Sequence, residues 1–362
     1  MGINQGLAAV SSDFMIAALL IYSLGVLAFA GDFAFGRPKR AAAAKTAVES
    51  RVAELATVGV GAVSSSGSSA EPPTPAPAGP GGPSGPGSPP VSALPARRQS
   101  FSQAIGEAGA WVRAAVALSV AGVTAHLAAV VTRGFAVHRA PWGNMYEFVT
   151  ALTCVAAIFF VYVMIRYRAW ALGIWVMGAV VLALGLAETV IYTAAGPLVP
   201  ALQSYWLSIH VTAMTLATGI FFVAAVLGIL YLVAERYRAR VAAGKVADGG
   251  NGLLSRIPSA EQLDKLTYRT VIFGFPVWTF GVIAGAIWAD EAWGRYWGWD
   301  PVETWAFITW VLYAAYLHAR ATAGWRGRRA HYIQLLGFTS LIFNILVVQV
   351  FITGMHSYAG VS

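Results

Sequence analysis

Cysteine is almost missing from this chain, with Cys154 the single one in 362 residues. A lone thiol excludes an internal disulfide, a CxxC redox pair and a cysteine-based zinc site, so any thiol chemistry has to be supplied by another molecule. Charge is scarce as well. Asp, Glu, Lys and Arg make up 11% of the residues against 57% hydrophobic, and the mean hydropathy is +0.64, which excludes a water-soluble enzyme. The charge that remains is lopsided, 24 Lys and Arg against 16 Asp and Glu, for a net charge of +8. In a chain this apolar, the surplus is read as Lys and Arg gathered on the cytoplasmic face of a membrane and not as a nucleic-acid surface, so lipid is the expected surrounding and no nucleic acid the expected partner.

What the sequence has in abundance is apolar runs. A helix needs about 20 such residues to cross ~30 Å of hydrocarbon. Runs of that kind lie near 14–31, 111–132, 145–165, 169–187, 205–234, 268–289, 303–319 and 332–354, and predict an all-α, polytopic membrane bundle of about eight helices. No Lys or Arg precedes the first run, while Arg37, Lys39, Arg40 and Lys45 follow it, the reverse of a cleaved signal. It reads as a retained anchor over 1–36 with its N-terminus outside. Alternating loops then leave only Arg133, Arg139 and Arg295 on the outer side, which puts both termini on the extracytoplasmic face. Residues 37–110 are rich in Ala, Gly, Pro and Ser, and 71–90 alone hold nine prolines and five glycines, too little apolar side chain for a core. A flexible tether and an SH3-type ligand are both open readings of this stretch. Residues 111–362 form the membrane domain proper. It shows no internal repeat of the inverted-transporter kind.

Six of the thirteen tryptophans fall within one short stretch, Trp288, Trp293, Trp297, Trp299, Trp305 and Trp310. An interfacial aromatic belt spreads its rings over many helix ends. Crowded into a single outer loop, they make a flat, π-rich shelf suited to a large planar ligand. Within it, Asp300-Pro301-Val302-Glu303 reads as the N-cap, N1, N2 and N3 of the seventh helix; for Asp300 the cap is favoured over a ligand role, and the two are compatible.

The topology sorts the six histidines by depth. His210 lies about one and a half turns into the fifth helix from its outer end, and His356 just beyond the outer end of the eighth, so both share a side with the tryptophans. Two neutral imidazoles beside an aromatic shelf match what bis-axial coordination of a haem iron requires. His318 falls in the inner half of the seventh helix, where an ionisable group is either functional or an interfacial side chain beside Arg320. His126, inside the second helix, reads as a partner of a neighbouring span. His331 follows Arg328 and Arg329 and reads as solvated. His138, with Arg139 or Arg133, is placed to meet haem propionates by charge pairing. Asn344 and Gln349 read as interhelical hydrogen-bond partners, and Met214 as packing.

The segment Trp293-Gly-Arg-Tyr-Trp297-Gly-Trp299-Asp300-Pro-Val-Glu-Thr-Trp305 resembles the signature of the WWD-domain family of haem-handling proteins. Together with Leu202–Val211 around His210, Tyr316–Arg320 around His318 and Met355–Tyr358 around His356, it is most similar to the CcsA/ResC subunits of System II cytochrome c synthetases, over roughly 111–362. The resemblance implies that His210 and His356 are the outer axial ligands of haem b, with Trp293, Trp297, Trp299, Asp300 and Trp305 around it. It also implies that His318 is one of a membrane-embedded pair whose other member belongs to a CcsB/ResB-like partner subunit. One motif departs from the pattern. Where the family reads Gly-His-x-Pro-x-Ser-Asn-x-Tyr-Glu, this chain has Val137-His138-Arg139-Ala140-Pro141-Trp142-Gly143-Asn144-Met145-Tyr146-Glu147.

The implied reaction joins the vinyl groups of ferrous haem to the two thiols of a CxxCH motif in apocytochrome c, at the outer face of a bacterial plasma membrane or, in a plastid, a thylakoid. Thioredoxin-like proteins are the implied source of reduced thiols. Two rival readings stand beside this one. One is an exporter or chaperone that delivers haem without attaching it, and the other is a scaffold whose tryptophans only anchor it.

Overall fold

Long runs of Ala, Val, Leu, Ile and Phe in lipid leave the backbone to satisfy its own hydrogen bonds, and the α-helix does so within a single segment. The computed structural model describes residues 2–36, 105–106, 108–197, 204–246, 254 and 257–356, and every regular element among them is helical. Eight long helices follow one another: α1 (Gln5–Gly31), α2 (Ala110–Val137), α3 (Met145–Tyr167), α4 (Gly173–Val190), α5 (Tyr205–Ala242), α6 (Ala260–Trp293), α7 (Pro301–Ala321) and α8 (Arg328–Phe343). A π-helical turn, Asn344–Val348, and a short turn, Gln349–Phe351, continue α8.

Each apolar run predicted from the sequence lies on one of these helical stretches. Seven are long and apolar enough to cross a membrane; the remaining one, α7, is 21 residues long and dilutes its apolar side chains with Thr304, Thr309, Tyr313, Tyr316 and His318. Residues 37–104 of the expected tether lie outside the described residues.

The first helix packs into the bundle. Ser11 Oγ donates to Ala129 O at 2.8 Å, Asn4 N to Ala136 O at 2.9 Å, and the buried Tyr22 ring fills the space left by Gly122 on α2. Tyr22 and His126 meet edge to face, with Tyr22 Oη 3.5 Å from His126 Nδ1, so His126 serves the α1–α2 contact. A Cβ at residue 122 would overlap the Tyr22 ring, and Gly122→Ala is expected to cost about 1–3 kcal/mol by overpacking. Thermal unfolding in detergent checks this. Gly178→Ala, whose Cβ meets nothing within 4 Å, is the control that should leave the midpoint in place.

At the end of the bundle away from the tryptophan loop, one carboxylate ties three helices. Asp264 Oδ1 on α6 accepts from Arg320 Nη1 of α7 at 2.6 Å and lies 3.1 Å from His331 Nε2 of α8. The His331 ring stacks on Tyr231 of α5 at 3.8 Å. His331 is therefore fully buried and not solvated as its basic neighbours suggested: α8 starts at Arg328, and its first turn rotates residue 331 inward while Arg328 and Arg329 face out. This lacing fixes the far ends of the helices whose near ends build the site.

Candidate functional site

A cavity opens at the tryptophan-loop end between the start of α3, the first turns of α5, the end of α6 and the continuation of α8. The free space between its walls, open mouth included, is about 1390 Å³. His210, His356, Trp288, Trp293 and Trp297 all line it.

His210 sits in the second turn of α5, whose start is set by the Ser204 side chain accepting from Trp206 N. Its Nδ1 lies 2.7 Å from Gly281 O on α6, and because a carbonyl only accepts, Nδ1 carries the hydrogen and Nε2 the lone pair. Glycine is required beside it, since a Cβ at Gly285 would stand 2.6 Å from the imidazole. The ring lies parallel to Trp288, centroids 6.1 Å apart at 11°.

His356 arrives from the opposite end of the sequence, after α8. Its Nδ1 bonds Asp300 Oδ2 at 2.8 Å, and its ring meets the edges of Trp288 at 5.8 Å and Trp293 at 5.2 Å. Trp288 is thus the shared neighbour of both imidazoles.

Asp300 links this histidine to α7. The reciprocal cap read from the sequence is present: Asp300 caps α7, and Glu303 Oε2 accepts from Asp300 N at 3.1 Å and from Gly298 N at 2.9 Å. The same Asp300 carboxylate accepts from Met355 N at 2.6 Å and comes so close to residue 354 that a Cβ there would meet Oδ1 at 2.5 Å, so a glycine is needed. Burial alone would raise the Asp300 carboxyl, but the His356, Met355 and Val302 donors outweigh it and hold it below the ordinary carboxylate range. Asp300 therefore acts on the cavity through His356.

The structure divides the remaining predicted site residues. Trp297 lines the cavity, while Trp299 turns outward, 66% exposed, in a left-handed backbone conformation with φ 55°. Trp305 packs behind, on Phe343, with centroids 4.4 Å apart. Of the tryptophans singled out in the sequence, Trp288, Trp293 and Trp297 face the cavity, where Trp142 and Trp278 join them. His318 is exposed near the other end of α7, eighteen residues and ~27 Å along the helix from Asp300, and is not brought to the cavity. His138 is the exposed left-handed C-cap of α2, and it is Arg139 that lines the cavity.

Two features escaped the sequence reading. Asn344 is the interhelical partner expected, donating from Nδ2 to Val302 O of α7 at 3.2 Å, but it also opens a π turn and lines the cavity, with its Oδ1 buried and without a partner. A π turn leaves no apolar-periodicity signature that would announce it. The second is Glu147, fully buried between Arg133 and Arg139; only its place at N3 behind the Asn144 cap hints at a fixed position.

Comparison with known proteins places the chain in a family. The family model described as Cytochrome C assembly protein matches residues 142–356, which takes in both imidazoles and the whole tryptophan loop. The chain is 36% identical over 245 residues to the cytochrome c biogenesis protein CcsA of Heterosigma akashiwo, covering 60% of this chain and 76% of that protein. It is 40% identical over 235 residues to CcsA of Guillardia theta, with the same coverage, and 36% identical over 267 residues to CcsA of Synechococcus sp., covering 68% and 86%. Among solved structures, a cytochrome c haem lyase, CcmF, shares the fold with a TM-score of 0.54 at 15% identity; the match covers 96% of this chain and 47% of that one.

Proposed function

We propose, from the premise that this chain belongs to the cytochrome c assembly protein family, that it serves cytochrome c maturation as the haem-holding subunit of a cytochrome c synthetase. Haem b is then a substrate, its iron held between His210 and His356 and offered to apocytochrome c at the extracytoplasmic face. The observation that carries this reading is the pair of imidazoles, 146 residues apart in sequence, lining one cavity with each Nδ1 already bonded to an oxygen acceptor. Each would meet iron through Nε2, the orientation that a hydrogen-bonded second nitrogen fixes in metal-binding histidines.

The chemistry needs positioning more than acid or base. In thioether formation the S–H of a cysteine adds across a vinyl C=C: sulfur bonds one carbon, hydrogen the other, and no net oxidation occurs. Trp288, Trp293 and Trp297 supply a planar, apolar wall against which the macrocycle is held still, and reactants held in register gain large effective molarity. The histidine of CxxCH takes the place of one axial imidazole as its neighbouring thiols reach the vinyls. Cys154 is buried, which leaves the thiol chemistry to other molecules, with thioredoxin-like proteins as the proposed reductant. His318, exposed at the far end of α7, suits haem reception together with a CcsB/ResB-like partner.

Co-expression with that partner and an apocytochrome c tests the reading. Covalent haem on the acceptor, seen by haem staining after denaturation, is the expected result. Haem retained by this chain with none attached to the acceptor would reassign it to delivery, and a purified chain without a Soret band would reduce it to a scaffold.

A further inference from the structure

The loop in which this chain departs from the family pattern, Val137–Glu147, lines one wall of the cavity and contains neither His210 nor His356. Glu147 accepts from Arg133 Nε at 3.1 Å, from Arg139 Nη1 at 2.7 Å and from Gly143 N at 2.9 Å, so two guanidinium groups share this one carboxylate. Arg133 spends its remaining contacts away from the cavity, on Thr193 O and over the Tyr146 ring. Arg139 lines the cavity. Its terminal nitrogens reach Ala140 O and Gly196 O, but its Nε–H is buried without an acceptor. Trp142 lines the same cavity three residues on, and its Nε1–H is likewise buried without an acceptor. Buried donors are rarely left unmade. Two of them in one wall, one carried by a guanidinium, call for an oxygen acceptor, and the cation favours an anionic one.

We propose that Arg139 and Trp142 form a carboxylate subsite that takes a propionate of the haem and thereby fixes the rotation of the macrocycle about its axial ligands. This rests on the haem reading above. Two axial imidazoles alone leave the ring free to turn in its plane. With the propionate edge pinned at Arg139 and Trp142, the vinyl groups occupy set positions, and each cysteine of the acceptor meets the same vinyl every time.

The test compares haem b with haem b dimethyl ester, which keeps iron, ring and vinyls and masks both carboxylates, by Soret titration of the purified chain in detergent. The wild-type chain is expected to hold haem about tenfold more tightly than the diester, the scale of a charge-assisted contact. Arg139→Gln and Trp142→Phe should each reduce that preference toward unity without weakening the diester. Trp142→Phe removes the Nε1–H donor and keeps a smaller aromatic ring in the wall, so it remains informative if Arg139→Gln, by stripping Glu147 of a partner, does not fold. Equal wild-type affinity for the two porphyrins, or a preference that survives both substitutions, overturns the subsite and leaves the haem reading standing. Binding of neither porphyrin overturns the haem reading itself, and the subsite with it.

Discussion

Replacing His210 by alanine is expected to abolish covalent haem attachment, lowering product by at least about 100-fold, because an axial ligand on a rigid helix has no substitute nearby. His210 is held by Gly281 O, by the parallel Trp288 ring and by the close approach of Gly285, so the side chain is preset before ligand arrives. Alanine leaves a space of imidazole size at the end of a helix whose other contacts are untouched. Added imidazole should enter that space and restore both the Soret band and attachment. His356→Ala is expected to give the same loss and the same rescue. If haem content and attachment are unchanged in both variants, the iron is held elsewhere. If imidazole restores neither while the protein remains folded, the histidines act on structure and not on iron.

Asp300→Ala carries the next largest effect and acts at two levels. The cap of α7 loses its side-chain acceptor, worth about 0.5–2 kcal/mol of stability. Met355 N and His356 Nδ1 lose theirs as well. With the imidazole no longer oriented, haem affinity is expected to fall about 10–100-fold, the range for removing an outer partner of a ligating histidine. Asp300→Ser separates the two. Serine is as good an N-cap as aspartate, and its hydroxyl oxygen can accept from Val302 N, so the unfolding midpoint should stay near wild type. A single short hydroxyl cannot also serve Met355 N and His356 Nδ1, so the affinity loss should persist. Equal haem affinity in Ser and wild-type proteins would show that Asp300 is only a helix cap.

Much of this site was legible in the sequence, for identifiable reasons. The helices announce themselves because ~20 apolar residues have few other options in lipid. The α7 cap was readable because Asp-Pro-Val-Glu puts acceptor, fixed φ and reciprocal carboxylate at adjacent positions, which is local chemistry. The side of the molecule shared by His210, His356 and the tryptophan loop followed from counting spans. Facing direction did not follow. Trp299 and Trp305 lie in the same signature as Trp293 and Trp297, yet one turns outward on a left-handed backbone and the other packs on Phe343 of a helix nearly 40 residues away. His331 was misread for a related reason: its sequence neighbours are basic and exposed, while its burial is decided by Asp264 and Tyr231, 67 and 100 residues earlier. Unpartnered donors such as Arg139 Nε and Trp142 Nε1 are invisible until every acceptor around them is placed.

The hydrogen bond between Asp300 and His356 also sets a schedule. His356 follows all eight helices in chain order, so while the polypeptide is being threaded into the bilayer, the tryptophan loop and His210 are in place before the second imidazole has been synthesised. A chain stalled or cleaved before α8 is inserted has a half-built cradle, with one imidazole and a carboxylate still waiting for its donor. Iron porphyrin is a reactive molecule to take up early, and on the function proposed above this order of construction would withhold a firm grip until the segment after α8 has emerged and docked.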